Sequence, residues 1–388
     1  MERFDLSRHP IYVTGVAETA LGEVHDETTF SMVAKAAAEA LGEAGLSFDD
    51  VDGVFTNYMG EEGSIQLGEY LGIRHPRYSD SSDLGGGAFE AFVHHAALAI
   101  AAGRCEVALI GFASRQRTLR GRSMVHPTGS LSLDAQFQQP YGIPMPIGHY
   151  AMFAARHMHQ YGTTAEQLAE VAVAANRWAQ LNPKAWRHGQ VIEVDDVLDS
   201  KLIASPLHKL DCCLITDGGG VAIVTDAAHA RDAVRPPVRV LGAGESQHQW
   251  HLAETEDLTV TPAVVSGREA FGMAGITPAD VDVLEPYDAF TINVILVLED
   301  LGFCEKGEGG ALVEEGVLRP GGRLPTMTNG GGLSYNHPGA YGLMILIEAV
   351  RQLRGEAGDR QVPGAEVGVV QGFGGFFSAA QTLVLGRE

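Results

Sequence analysis

The sequence predicts an α/β protein assembled from two duplicated halves. An internal repeat predicts it, and so does a regular alternation of short apolar runs with alanine- and leucine-rich stretches. The length agrees, since 388 residues correspond to about two domains at roughly 150 residues each.

The repeat is read directly. Residues 40–52 are ALGEAGLSFDDVD and residues 270–282 are AFGMAGITPADVD, with seven of thirteen positions identical at an offset of 230. At the same offset Glu69-Tyr70-Leu71-Gly72 faces Glu299-Asp300-Leu301-Gly302, and Glu106–Ile110 resembles Glu366–Val370 further on. Three matches in one order argue for duplication rather than chance between alanine-rich helices. The halves are placed at 1–228 and 229–388. Ile11–Val13, Val107–Ile110, Val221–Val224, Val238–Leu241 and Val367–Val370 read as buried strands. Phe30–Ala44, Phe89–Ala102, Val264–Gly272 and Leu343–Leu353 are rich in good helix formers. Such alternation implies sheet covered by helices on both faces. Segment 115–205 has no counterpart in the second half. It is rich in His, Gln, Met and Pro, holds one clear helix at Ala165–Ala179, and is expected to cover a site.

Composition narrows the function. A net charge of −22 provides no positive field for nucleic acid. The cysteines Cys105, Cys212, Cys213 and Cys304 form no CxxC, so a structural zinc is not expected. His157 and His159 are two apart on a helical stretch and do not share a face, so no metal is expected there. Sparse thiols, an N-terminus without an apolar core and the lack of any long apolar run suggest a cytoplasmic protein with no membrane span.

Three glycine clusters lie where loops meet helices or strands: Gly85-Gly86-Gly87, Gly330-Gly331-Gly332 and Gly372-Phe373-Gly374-Gly375. Each by itself is compatible with a turn or helix cap. Together, in register with the repeat, they can bring two helix N-termini and their free N–H groups to one developing negative charge. No nucleotide fingerprint is present. Arg115, Arg117, Arg120 and Arg122 crowd eight residues of an acidic chain, which fits either a subunit contact or phosphate binding.

The duplicated unit, Asn336-His337-Pro338-Gly339, the terminal Gly-Phe-Gly-Gly and Ala204-Ser205-Pro206-Leu207 with Asp217-Gly218-Gly219 together resemble the thiolase superfamily. The resemblance is to its sterol-carrier-protein and lipid-transfer-protein branch, and it spans nearly the whole chain. It implies a five-layer αβαβα fold, a homodimer and an acyl-CoA substrate, with coenzyme A entering as part of the substrate and no bound cofactor. The family's nucleophilic cysteine falls at about Gly86, and its second cysteine, in the C-terminal glycine loop, is also absent. The histidine of its GHP motif is His337. Tyr287, in Tyr287-Asp288-Ala289-Phe290, opens the tetrad where Asn or His is usual.

Without a thiolate there is no acyl-enzyme by the usual route. Enolate stabilisation survives, and an enolate is what retro-aldol cleavage of a β-hydroxyacyl-CoA releases. The branch includes thiolase-like steroid side-chain aldolases with tyrosine at the tetrad position. The resemblance therefore implies a C–C lyase giving a ketone or aldehyde and a shortened acyl-CoA. Tyr287 and His337 are the acid–base pair, undivided between the two roles, and amides near Gly86 and Gly374 hold the enolate oxygen. Arg115, Arg117, Arg120 and His149 are expected to contact the coenzyme A ester. The aldolases work with a small OB-fold and zinc-ribbon partner, so a heterotetramer is expected. An acyltransferase with an atypical nucleophile such as Ser81 or Ser82, or a cysteine supplied by the fold from elsewhere, and a non-catalytic scaffold, stand as alternatives.

Overall fold

A computed structural model describes residues 6–57, 59, 63–82, 84–120, 132–143 and 146–388. Nine strands form one mixed sheet: β1 (Ile11–Glu18), β2 (Gly53–Phe55), β3 (Tyr78–Asp80), β4 (Val107–Arg115), β5 (Asp217–Asp226), β6 (Val238–Gln247), β7 (Val283–Pro286), β8 (Val367–Gly374) and β9 (Ala379–Arg387). Their order is β3-β2-β4-β5-β1-β6-β9-β8-β7. Outward from the centre, β1-β5-β4-β2 and β6-β9-β8-β7 run in equivalent order. In each series the outer pair is parallel and the other neighbours are antiparallel. Among the described residues the two series pair at Tyr12–Arg239 and Val13–Val238.

Seven helices matter for the site: α1 (Thr29–Ala44), α2 (Ala88–Ala101), α3 (Ile147–Tyr161), α4 (Ala165–Ala179), α5 (Ala263–Ala274), α6 (Thr291–Asp300) and α7 (Gly342–Arg354). Helix α1 starts on Thr28, whose hydroxyl takes the Ser31 N–H, and stops at left-handed Gly45. It buries Met32, Val33, Ala36, Ala37, Ala40 and Leu41 against β1, β4 and β5. Helix α5 packs on β6 and β9 in the corresponding way. The repeat is visible in atomic detail at one contact. A side chain at Gly15 of β1 would overlap the Ala40 carbonyl of α1, and one at Gly242 of β6 would overlap the Ala270 carbonyl of α5. Ala40 and Ala270 are partners in the sequence repeat.

Helices α2 and α7 touch each other and strands from both series, so they form the middle layer of an α/β stack whose outer layers include α1 and α5. Both are buried around most of their circumference, as an enclosed helix must be. The predicted helices appear with one- or two-residue shifts at their ends, and the strands run longer than their apolar runs. The sequence reads only a helical stretch around His157 and His159, not the full extent of helix α3. Its buried face carries His149 and His157 beside Tyr150 and Phe153, a pattern without the usual aliphatic period. No helix among the described residues is long and apolar enough to cross a membrane.

Candidate active site

Helices α2 and α7 begin side by side. Gly86 lies in the turn that opens α2, and Tyr341 is the N-cap of α7. Tyr287 follows β7 directly. Its N–H donates to the Gln371 carbonyl (2.8 Å), and its own carbonyl accepts from Asn293 Nδ2 of α6 (3.2 Å). The Tyr341 N–H donates to the Tyr287 hydroxyl oxygen (3.2 Å). An amide at a helix N-terminus supports negative charge on the atom it faces. Gly86 explains the room for this phenol. A Cβ built on Gly86 would overlap the Tyr287 hydroxyl and lie 2.6 Å from Cζ.

His337 lies beyond the π-turn Gly331–Tyr335. Its backbone is clamped by Thr216, whose hydroxyl accepts the His337 N–H (2.8 Å) and whose N–H reaches the His337 carbonyl (3.2 Å). Nδ1 accepts the Gly339 N–H (3.4 Å), while buried Nε2 has no protein partner. In the neutral ring the proton is therefore assigned to Nε2. Burial pushes His337 down to about 4, so the imidazole is neutral at neutral pH. The Tyr287 and His337 rings meet edge to face, with centroids 5.6 Å apart at 85°. Asp288 holds the π-turn in place. Its carboxylate accepts the N–H groups of Gly332 (2.6 Å) and Leu333 (3.1 Å), and burial pushes it up to about 7.

Gly86, Tyr287 and His337 line a cavity of about 1080 Å³. The exposed Lys201 and Lys209 also line it, with Arg117 and Arg187. No carboxylate does so among the described residues. An apolar wall is made by Ile147, Tyr150, Trp250, Phe290 and Phe376, with Tyr150 stacked on Phe290 (4.4 Å) and Trp250 against Phe376 (4.9 Å).

The comparisons with known proteins bear on this arrangement. The family model described as "Thiolase C-terminal domain-like" matches residues 243–387. The acetyl-CoA acetyltransferase of Methanothermobacter thermautotrophicus is 35% identical over 97% of this chain and 99% of its own. The 17-hydroxy-3-oxo-4-pregnene-20-carboxyl-CoA lyase of Mycobacterium tuberculosis is 36% identical over 88% and 91%. The chain belongs to the thiolase superfamily. Within it, the chain lies on the sterol-carrier-protein branch near the steroid side-chain aldolases. A solved Ltp2-ChsH2(DUF35) aldolase superposes with a TM-score of 0.89 at 32% identity, covering 97% of this chain and 98% of that one.

In this thiolase-superfamily chain the sequence-predicted residues have distinct fates. Tyr287, His337 and Gly86 meet at the cavity. Gly374 packs against Leu84 and Gly85, and its neighbour Gly375 takes the place on the cavity wall. Arg115 faces away, bonded to Thr118 and the His25 carbonyl. Arg117 lines the cavity but is held by Glu23 and the Ile215 carbonyl, with its guanidinium 4.4 Å from the Trp186 ring centre. The Arg120 side chain and Arg122 lie outside the described residues. His149 sits behind the wall, stacked on Phe376 (4.2 Å) and bonded through Nε2 to Gln138 (2.5 Å). Ser82 donates to Asp80 (3.2 Å), and neither Ser81 nor Ser82 lines the cavity. Among the described residues no group of His, Cys, Asp and Glu could hold a metal. Sequence reasoning missed Arg187, Lys201 and Lys209, which carry no motif. It also missed that Cys212 and Cys213 face the cavity. Burial pushes Cys212 up to about 12 and Cys213 well up, so neither is a ready thiolate.

Proposed function

We propose that this chain is a thiolase-fold C–C lyase that cleaves a β-hydroxyacyl-CoA by a retro-aldol reaction. The observation that carries the reading is the Tyr287 phenol standing in the space a side chain at residue 86 would occupy. Tyr287, as phenolate supported by the Tyr341 N–H, takes the β-hydroxyl proton. The O–H electrons become the new C=O, the Cα–Cβ bond breaks, and its electrons pass to the thioester as an enolate. The His337 Nε2–H and amides around Gly86 and Gly375 hold the enolate oxygen. The proton taken by Tyr287 returns to Cα, so protons balance over the cycle. The products are a ketone or aldehyde and a shortened acyl-CoA.

Arg187, Lys201 and Lys209, with Arg117, are suited to the phosphates of coenzyme A in a chain otherwise strongly acidic. The aromatic wall suits a bulky lipid or steroid acyl group. By analogy with the Ltp2-ChsH2(DUF35) aldolase, activity is expected in an assembly of a homodimer with a DUF35-type partner.

The test is incubation with a β-hydroxyacyl-CoA branched at Cβ, without free coenzyme A, with and without such a partner. Ketone and shortened acyl-CoA are expected. Turnover only when free coenzyme A is added would favour acyl transfer, and silence in both assays with the partner present would overturn the lyase. Replacing Lys201 and Lys209 together by Ala should raise KM for the CoA ester about tenfold or more, and leave KM for the matching pantetheine ester unchanged.

The pH profile follows from His337. Its proton affinity is lower folded than unfolded, from the ordinary value near 6.5 down to about 4. Between these values the unfolded chain binds more protons at this histidine, so the His337 contribution to stability rises with pH from about 4 to 6.5 and is lost as pH falls. Asp288, pushed up to about 7, contributes with the opposite sign over the same range. His337 should contribute no inflection to cleavage near 6.5, because the ring is already neutral there. A His337 ring signal that titrates near 6.5 by NMR would contradict this assignment, whereas a limb near 7 in kcat/KM would belong to Asp288.

A further inference from the structure

We propose that Tyr341 is a positioning residue that sets Tyr287 and His337 in one geometry; this rests on the lyase reading above. The backbone N–H, the ring and the hydroxyl of Tyr341 each make a contact within the site. Its backbone N–H donates to the Tyr287 hydroxyl oxygen (3.2 Å). Its ring lies nearly parallel to the His337 imidazole, with centroids 5.6 Å apart and planes at 18°, and edge-on to Tyr287 at 5.9 Å and 85°. Its hydroxyl donates to Asn329 Oδ1 (2.8 Å), the same atom that accepts the Gly331 N–H (2.8 Å). Asn329 thus joins the Tyr341 ring to the π-turn that delivers His337. The ring is fully buried and the hydroxyl is committed to Asn329, with burial holding the phenol well above its ordinary range. Tyr341 therefore donates no proton to substrate itself. It acts through the two groups it touches, and the helix that begins at the next residue fixes its backbone.

The hydroxyl and the ring separate by mutation, because the backbone N–H remains in every variant. Tyr341→Phe keeps the ring and removes the Asn329 bond. It should lower kcat about tenfold, the effect of one hydrogen bond, with KM within twofold. Tyr341→Leu removes the stacking plane and should lower kcat about 100-fold. In the free protein, nitrogen NMR should show His337 largely as the Nε2–H tautomer, kept in Tyr341→Phe and mixed in Tyr341→Leu. The spectrum needs no turnover, so it separates failure of the positioning role from failure of the lyase reading. A folded Tyr341→Leu protein with wild-type kcat, or with lowered melting temperature and an unchanged His337 spectrum, would reduce Tyr341 to a packing residue.

Discussion

Tyr287→Phe should lower kcat for cleavage by about a thousandfold, within the range expected for a lost general acid or base, while KM for the acyl-CoA stays within a few-fold. The phenyl ring still fills the slot beside Gly86 and still meets His337 and Tyr341 edge to face. What goes is the oxygen that accepts the Tyr341 N–H and, in the proposed cycle, carries the proton from Oβ to Cα. The orphaned N–H is buried, so the variant should also lose about 1–3 kcal/mol of stability. Steady-state kinetics with product analysis, alongside denaturant unfolding, reads both effects. A variant keeping a tenth or more of wild-type kcat would place the base elsewhere in the cavity. The cavity wall contains no carboxylate to take that role among the described residues.

The sequence and the structure agree where local pattern determines the outcome. Apolar runs flanked by alanine-rich stretches become strands and helices because burial and propensity favour the same states, as in α1 and β4. The duplicated ALGEAG and AFGMAG segments lie in corresponding helices, each pressed on a glycine of its neighbouring strand. Tyr287 and His337 are legible because each belongs to a short motif. The cations are not. Arg187 and Lys201 sit in turns or irregular chain and Lys209 opens a single 3-10 turn, and all three approach the cavity through tertiary packing, whereas the conspicuous arginine run around 115–122 delivers a single described side chain, Arg117, to the wall. The Asp217 carboxylate is the physical reason for that segment's shape. It accepts the N–H groups of Val24, Arg117 and Thr118 and the Thr118 hydroxyl, fixing the first turn of the run as a structural clamp. The extent of helix α3 is harder to read for another reason: His157 is buried against Glu299, 142 residues away, and sequence spacing cannot show that partner.

Gly86→Ala should be the most damaging small substitution in the site. Its Cβ would overlap the Tyr287 hydroxyl, and that phenol has little freedom to retreat between the His337 and Tyr341 rings. We expect kcat to fall about 100-fold as the oxygen leaves its reacting position, and stability to fall by about 1–3 kcal/mol from overpacking. Gly86→Cys places a thiol about where the family resemblance puts the thiolase nucleophile, yet should yield neither cleavage nor acyl transfer, because thiol and phenol claim the same volume. A mutant cycle tests the steric cause. Gly86→Ala, Tyr287→Ala and the double variant are compared by denaturant unfolding, and Gly86→Ala should cost little further stability once Tyr287 is already Ala. Additive losses would mean the two residues do not compete for space. A favourable coupling would mean that at this point of the fold a nucleophile at residue 86 and a proton-carrying phenol at residue 287 exclude each other sterically. The loss of the nucleophilic side chain would then be the structural condition for lyase chemistry rather than a sign of decay.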